Sequence, residues 1–179
     1  MHEHNFIPTI LKHYSYHMRG DELEHNAALQ QIIPYVWLIN PATKKVFAYV
    51  RIPGKGDYKE KRLMNKFSCG LGGHIDKEDS EDPITNAMMR ELKEEVIMNN
   101  YPTPKMVGYL NLEYDVHAVH FGVVSLAETT ETEIESADGV KEGKWYSIAE
   151  LETAFNNPEN EVEEWTRQSW PFVKNYLLK

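Results

Sequence analysis

The sequence predicts an α/β fold in one main domain, on three observations. Ile33-Pro34-Tyr35-Val36-Trp37-Leu38-Ile39 and Val46-Phe47-Ala48-Tyr49-Val50 are dense in aromatic and β-branched residues. Asn40-Pro41-Ala42-Thr43 separates them, which reads as a β-hairpin. Within residues 84–98, Met88, Leu92 and Val96 lie four apart, the spacing of one apolar helix face. Two further strand-like runs, 105–113 and 118–126, follow that helix, so sheet and helix alternate along the chain. The 179 residues suit one domain. A chain of that length buries a core without staples.

Composition narrows the function classes. With 41% hydrophobic and 26% charged residues the chain is an ordinary globular protein, neither disordered nor fibrous. Lys and Arg number 19 against 28 Asp and Glu, a formal charge of −9. Such a surface repels phosphate backbones and anionic lipid, so neither nucleic acid nor a membrane is expected as a partner. Phosphates are approachable if divalent cations stand between. The single cysteine, Cys69, makes neither an internal disulfide nor a four-cysteine zinc site. Met1-His2-Glu3-His4-Asn5 lacks the pattern of a signal peptide, and no apolar run approaches the ~18 residues of a membrane span. A cytoplasmic protein is expected.

Taken in order, residues 1–30 are polar, with Phe6, Ile7, Ile10, Leu11 and Tyr14 at helical spacing, and are expected to form an N-terminal helical extension. The main domain then covers 31–179. His13 and His17 lie four apart, but the Glu of a zinc-protease motif is missing between them, so they are read as surface residues. Residues 53–61, with Gly54, Gly56, Lys55, Lys59 and Lys61, and Lys66 just beyond, read as a basic loop able to face phosphate. His117 and His120 fall on a predicted strand at odd spacing, which places at most one of them in a cleft. Residues 144–148 read as a short strand, 148–155 as a short helix, and 161–178 as a C-terminal helix that Pro171 is expected to kink or restart. Tyr35, Trp37, Tyr49 and Phe67 could stack on a base, although core positions suit them better.

The chemistry lies in Cys69-Gly70-Leu71-Gly72-Gly73-His74-Ile75-Asp76, the acidic loop after it, and the helix behind Asp82, a good N-cap followed by Pro83. Glu91, Glu94 and Glu95 lie three and four apart on a second helix face. Arg90 can pair with Glu94, whereas Glu91 and Glu95 repel each other with no counter-charge on the helix. Clustered carboxylates of this kind suit a hard divalent cation, and without one they raise each other's pKa. The glycines allow close backbone approach to a ligand.

This segment resembles the signature of the Nudix hydrolases, which runs Gly, five residues, Glu, seven residues, then an Arg-Glu core ending in paired Glu and a Gly. Arg90-Glu91-Leu92-Lys93-Glu94-Glu95-Val96 matches the core, and Gly72-Gly73-His74-Ile75-Asp76 resembles the turn before it. Asp82, eight residues before Arg90, stands where the family has its first Glu, which gives the loop after Gly73 a three-residue insertion. Ile97 replaces the family Gly, so the helix is expected to run on. Weaker resemblance extends over residues 32–152.

The resemblance implies an α/β/α sandwich with a mixed β-sheet, and hydrolysis of a diphosphate linkage in a nucleoside diphosphate-linked small molecule with Mg²⁺ or Mn²⁺. Glu94 and Glu95 are then the principal metal ligands, Glu91 a ligand or base, the Gly73 carbonyl an added ligand, and Arg90 an orienting salt-bridge partner. A further Glu outside the motif is expected, and Glu142 is the favoured candidate, with Glu133 and Glu135 behind it. The implied partner is the small-molecule substrate, and the resemblance leaves room for a homodimer. Two other readings stand beside it. One is an inactive Nudix-like nucleotide-binding regulator, although such modules lose the carboxylates. The other is an isopentenyl-diphosphate isomerase-like enzyme using Cys69, although such enzymes lack the full core.

Overall fold

The computed structural model describes residues 5–18, 20–26, 28–52 and 63–179. The basic loop read over 53–61 lies outside them. Lys66, at its edge, pairs with Glu161 at 3.5 Å.

β1 (Gln31–Asn40) and β2 (Lys45–Arg51) form the expected hairpin, whose turn ends with Lys44 at φ +53°. They belong to a seven-stranded sheet with β3 (Phe67–Ser68), β4 (Gly70–Leu71), β6 (Lys105–Asn111), β7 (His120–Glu128) and β9 (Val140–Ser147). β1 lies at the centre. It runs parallel to β7 from Gln31–His120 to Ile39–Glu128 and antiparallel to β2 and β4, so the sheet is mixed. β5 (Val96–Ile97) and β8 (Glu135–Ser136) make a separate small pair.

Strand alternation assigns the core to two layers. Ile33, Tyr35, Trp37 and Ile39 of β1 pack toward α4 (Ile148–Asn156) and α5 (Glu164–Leu177), meeting Leu151, Trp165, Trp170 and Val173. Val36 and Leu38 point the other way, toward Ile84, Met88 and Leu92 of α3 (Pro83–Glu95). Burial on both faces explains why β1 is a continuous apolar run. The result is the expected α/β/α sandwich. Tyr35, Trp37, Tyr49 and Phe67 are all core residues. Before the sheet come two short helices, α1 (Ile7–His13) and α2 (Asp21–Glu24). His13 ends α1, so His13 and His17 do not share a helix.

Three local expectations are corrected. Residues 96–97 do not continue α3: they turn extended and pair with β8, while the Ala137 and Asp138 N–H groups donate to the Glu95 and Glu94 carbonyls that end the helix. The strand expected from 118 begins at His120, behind a 3₁₀ turn over 115–119, so His117 and His120 escape strand alternation and reach the same cleft. α5 runs through Pro171 as one helix, with Trp170 stacked on Trp37.

Candidate functional site

Asp82 caps α3 by accepting from the Thr85 N–H, and Pro83 occupies its first turn. With Ile84, Met88 and Leu92 fixed against the sheet, the helix turns Glu91, Glu94 and Glu95 to a cleft of about 770 Å³. Their environments differ. Glu95 is 6% exposed, accepts the Gly72 N–H at 2.7 Å and lies 3.9 Å from the Arg51 guanidinium. Glu91 is mostly buried, and Oε1 accepts from Arg90 Nη1 at 2.8 Å. Glu94 is half exposed and accepts from the same Nη1 at 3.2 Å.

Burial pushes the Glu91 carboxyl up to about 7, against the pull of Arg90 and with a further push from Glu94. Gly73 packs directly on this carboxylate: a Cβ there would stand 2.7 Å from Oε1. Burial opposes charge on Arg90 and Arg51 too, but their carboxylate and phenol neighbours outweigh it and both pKa values rise.

Arg90 organises the loop. Its Nε and Nη2 donate to Asp79, with the shortest contact 2.9 Å, and Nη2 also donates to the His74 carbonyl at 2.8 Å. Asp79 is 4% exposed and accepts the Asp76 N–H as well. Asp79, not Asp82, therefore takes the place of the first acidic residue of the motif. It follows Gly73 after five residues, and the three-residue insertion falls between Asp79 and Arg90, where it forms the turn into α3. The count from Gly73 carried that signal, and counting back from Arg90 missed it.

The acidic stretch 128–142 is sorted by its contacts. Glu128 accepts from Tyr176, and Glu131 binds the N–H groups of Asn99 and Asn100. Glu133 and Glu135 are exposed. Glu142, at φ +57°, is exposed beside Lys141 and is not brought to Glu91, Glu94 and Glu95. Asp138 is the member of this stretch that lines the cleft, positioned by the hydrogen bond of its N–H to the end of α3.

Sequence reasoning also missed Arg51 and Glu163, which line the cleft together with His74 of the glycine turn. Glu163 is buried and accepts from Tyr35 Oη at 3.0 Å and from Ser68. Neither carries a local signal, since Arg51 ends β2 and Glu163 precedes α5, far apart in the chain. Cys69 is fully buried, its thiol pushed up by burial, and it does not line the cleft.

Glu91, Glu94, Glu95 and the Gly73 backbone supply oxygen donors on one wall. That set fits Mg²⁺ or Mn²⁺ rather than a softer ion. The buried, charge-conflicted Glu91 fits a site that a cation completes.

No protein-family model matches the chain. It is 31% identical over 160 residues to protein YmaB of Bacillus subtilis (strain 168), covering 84% of this chain and 74% of YmaB. Its fold is that of solved Nudix structures. Tm1382, described as a candidate Nudix hydrolase, superposes with a TM-score of 0.62 at 24% identity, covering 95% of this chain and 84% of Tm1382. The NUDIX domain of Shewanella oneidensis NrtR, complexed with ADP ribose, gives 0.58 at 14%, covering 96% and 98%. A Francisella tularensis bifunctional NMN adenylyltransferase/ADP ribose pyrophosphatase, complexed with AMP and a Mn ion, gives 0.58 at 17%, covering 83% of this chain and 42% of the other.

Proposed function

The chain belongs to the family of Bacillus subtilis YmaB and has the Nudix fold, and from that premise we propose that it is a metal-dependent pyrophosphohydrolase. Its substrate class is a small molecule joined to a nucleoside diphosphate, and the bond broken is the diphosphate linkage. One observation carries the reading: three carboxylates of α3, Glu91 and Glu94 tied by Arg90 to Asp79 and the His74 turn and Glu95 held by the Gly72 N–H, line one cleft large enough for a nucleotide.

Glu94 and Glu95 would hold the cation, with Glu91 and the Gly73 carbonyl beside them. When bound, Mg²⁺ or Mn²⁺ neutralises the diphosphate and lowers the pKa of an attacking water. The chain's own residues do the rest. Arg90 holds Glu91 by Oε1, and among the described residues Oε2 carries no hydrogen bond, so that oxygen is placed to accept a proton. Its pKa near 7 suits a base working at neutral pH. The Gly72 N–H holds Glu95 and Arg90 holds Glu94, so the paired carboxylates are positioned before substrate arrives. Retention of Glu91, Glu94 and Glu95 favours an enzyme over a binding module, and the buried Cys69 has no place in the cleft for isomerase chemistry.

The test is a panel of nucleotide sugars, ADP-ribose, NADH, coenzyme A, dinucleoside polyphosphates and nucleoside triphosphates, with Mg²⁺ or Mn²⁺ and products separated by ion exchange. Metal-dependent release of a nucleoside monophosphate, lost in Glu94→Gln/Glu95→Gln, is the expected result. Tight binding of one ligand with turnover of none would instead leave a binding module.

A further inference from the structure

A second group of potential ligands, apart from the α3 carboxylates, has two members on the cleft wall. Glu24 of α2, His74 of the glycine turn and His120 at the start of β7 bring one carboxylate oxygen and two imidazole nitrogens within 4.8 Å of one another. Glu24 and His120 are buried, and His74 is partly so. The Nε2 atoms of His74 and His120 are 3.3 Å apart, and the Gln31 side-chain amide stands 3.4 Å from the same His120 nitrogen. Three segments far apart in sequence supply these groups, so chain geometry alone does not explain the cluster.

We propose that Glu24, His74 and His120 form a second cation site, for a borderline transition-metal dication of the zinc class. Two neutral imidazoles and one carboxylate are the donor set of that class, whereas Mg²⁺ prefers an all-oxygen shell. The site is preorganised. Arg90 clamps the His74 carbonyl, and its backbone cannot drift while Asp79 holds the other side of the guanidinium. The Gln31 amide stands beside the same His120 nitrogen, so it gives way when an ion takes that lone pair. His74 and His120 line the cleft while Glu24 comes from the N-terminal extension, so a bound ion joins the extension to the cleft wall. The cleft then carries a hard site on α3 and a nitrogen-rich one where His74 and His120 line it.

The proposal is tested on chelator-stripped full-length protein titrated with Co²⁺ and Zn²⁺, reading Co²⁺ visible absorption and bound zinc by mass spectrometry. One tight equivalent is expected in the wild type and in Glu94→Gln/Glu95→Gln, lost in His74→Ala and His120→Ala and weakened in Glu24→Gln. Gln31→Leu should keep the tight equivalent, since the Gln31 amide only competes for the His120 nitrogen. Because a histidine variant could fail to fold, imidazole ¹H–¹⁵N correlations of the wild type supply a second reading. One equivalent of Zn²⁺ should move the ring nitrogens of His74 and His120 and leave those of His13, His17 and His117 in place. No tight zinc in the wild type, or zinc retained in both histidine variants, would overturn the proposal. The α3 variant separates this outcome from the hydrolase reading, since it removes only the hard site.

Discussion

Glu91 is held between opposing forces: burial favours its neutral form, and Arg90 favours its charged one. Burial prevails, so the folded carboxyl titrates near 7 where the free group titrates at 4.5. The sign of the consequence follows. Below the free value both states are protonated and folding is unaffected; as pH rises toward 7 the unfolded chain loses its proton first, and the folded state is penalised progressively. The full penalty is on the order of 3 kcal/mol. Glu91→Gln should therefore raise the melting temperature of metal-free protein at pH 8, with the gain vanishing near pH 4, and should abolish turnover at every pH. Differential scanning calorimetry in chelator, across that pH range, reads it. A Glu91→Gln protein less stable than wild type at pH 8 would show that Arg90 outweighs burial.

At the scale of the element, α3 and the turn before it form one device. Gly73 has no positive φ, so its backbone accepts a side chain; what a Cβ meets is the Glu91 carboxylate at 2.7 Å. Gly73→Ala should thus keep the fold, with a melting temperature within a few degrees of wild type, yet push Glu91 off Arg90. Mn²⁺ binding by isothermal titration calorimetry should weaken by about 10–100-fold, the usual scale when a ligand's supporting contact is lost. Gly72 is a different case. Its φ of +145° and a Cβ position 2.0 Å from the Pro34 carbonyl make any side chain there a folding defect. Much of this device was legible in residue order: the Asp82-Pro83 cap, the inward face of Met88, Leu92 and Val96, and the carboxylate face beside it. What escaped was set by partners distant in the chain. Val96 and Ile97 read as helix because their strand partner, Glu135–Ser136, carries no apolar pattern. The count from Gly73 favoured Asp79 and the count from Arg90 favoured Asp82, and the contact Arg90 makes decides between them. Asp138 was one acid among several until its N–H met the end of α3.

The whole molecule is organised by one strand. The α/β/α layering was visible in the doubly buried run of β1, but the parallel partner that makes the sheet mixed had to be found 89 residues away in β7. That separation governs how the protein is made. Closing so long a loop before any contact rewards it is slow, and chains dominated by such pairings fold in milliseconds to seconds rather than microseconds. Leu126→Ala in β7, at a buried site facing Trp37, should cost about 2–5 kcal/mol and slow refolding in stopped-flow fluorescence. Ile10→Ala in α1, where no residue is buried, should act on unfolding alone. During synthesis the hairpin is complete long before Glu128 leaves the ribosome. Until then β1 presents an unpaired edge to any neighbouring nascent chain, which makes the interval before β7 arrives the protein's window for aggregation.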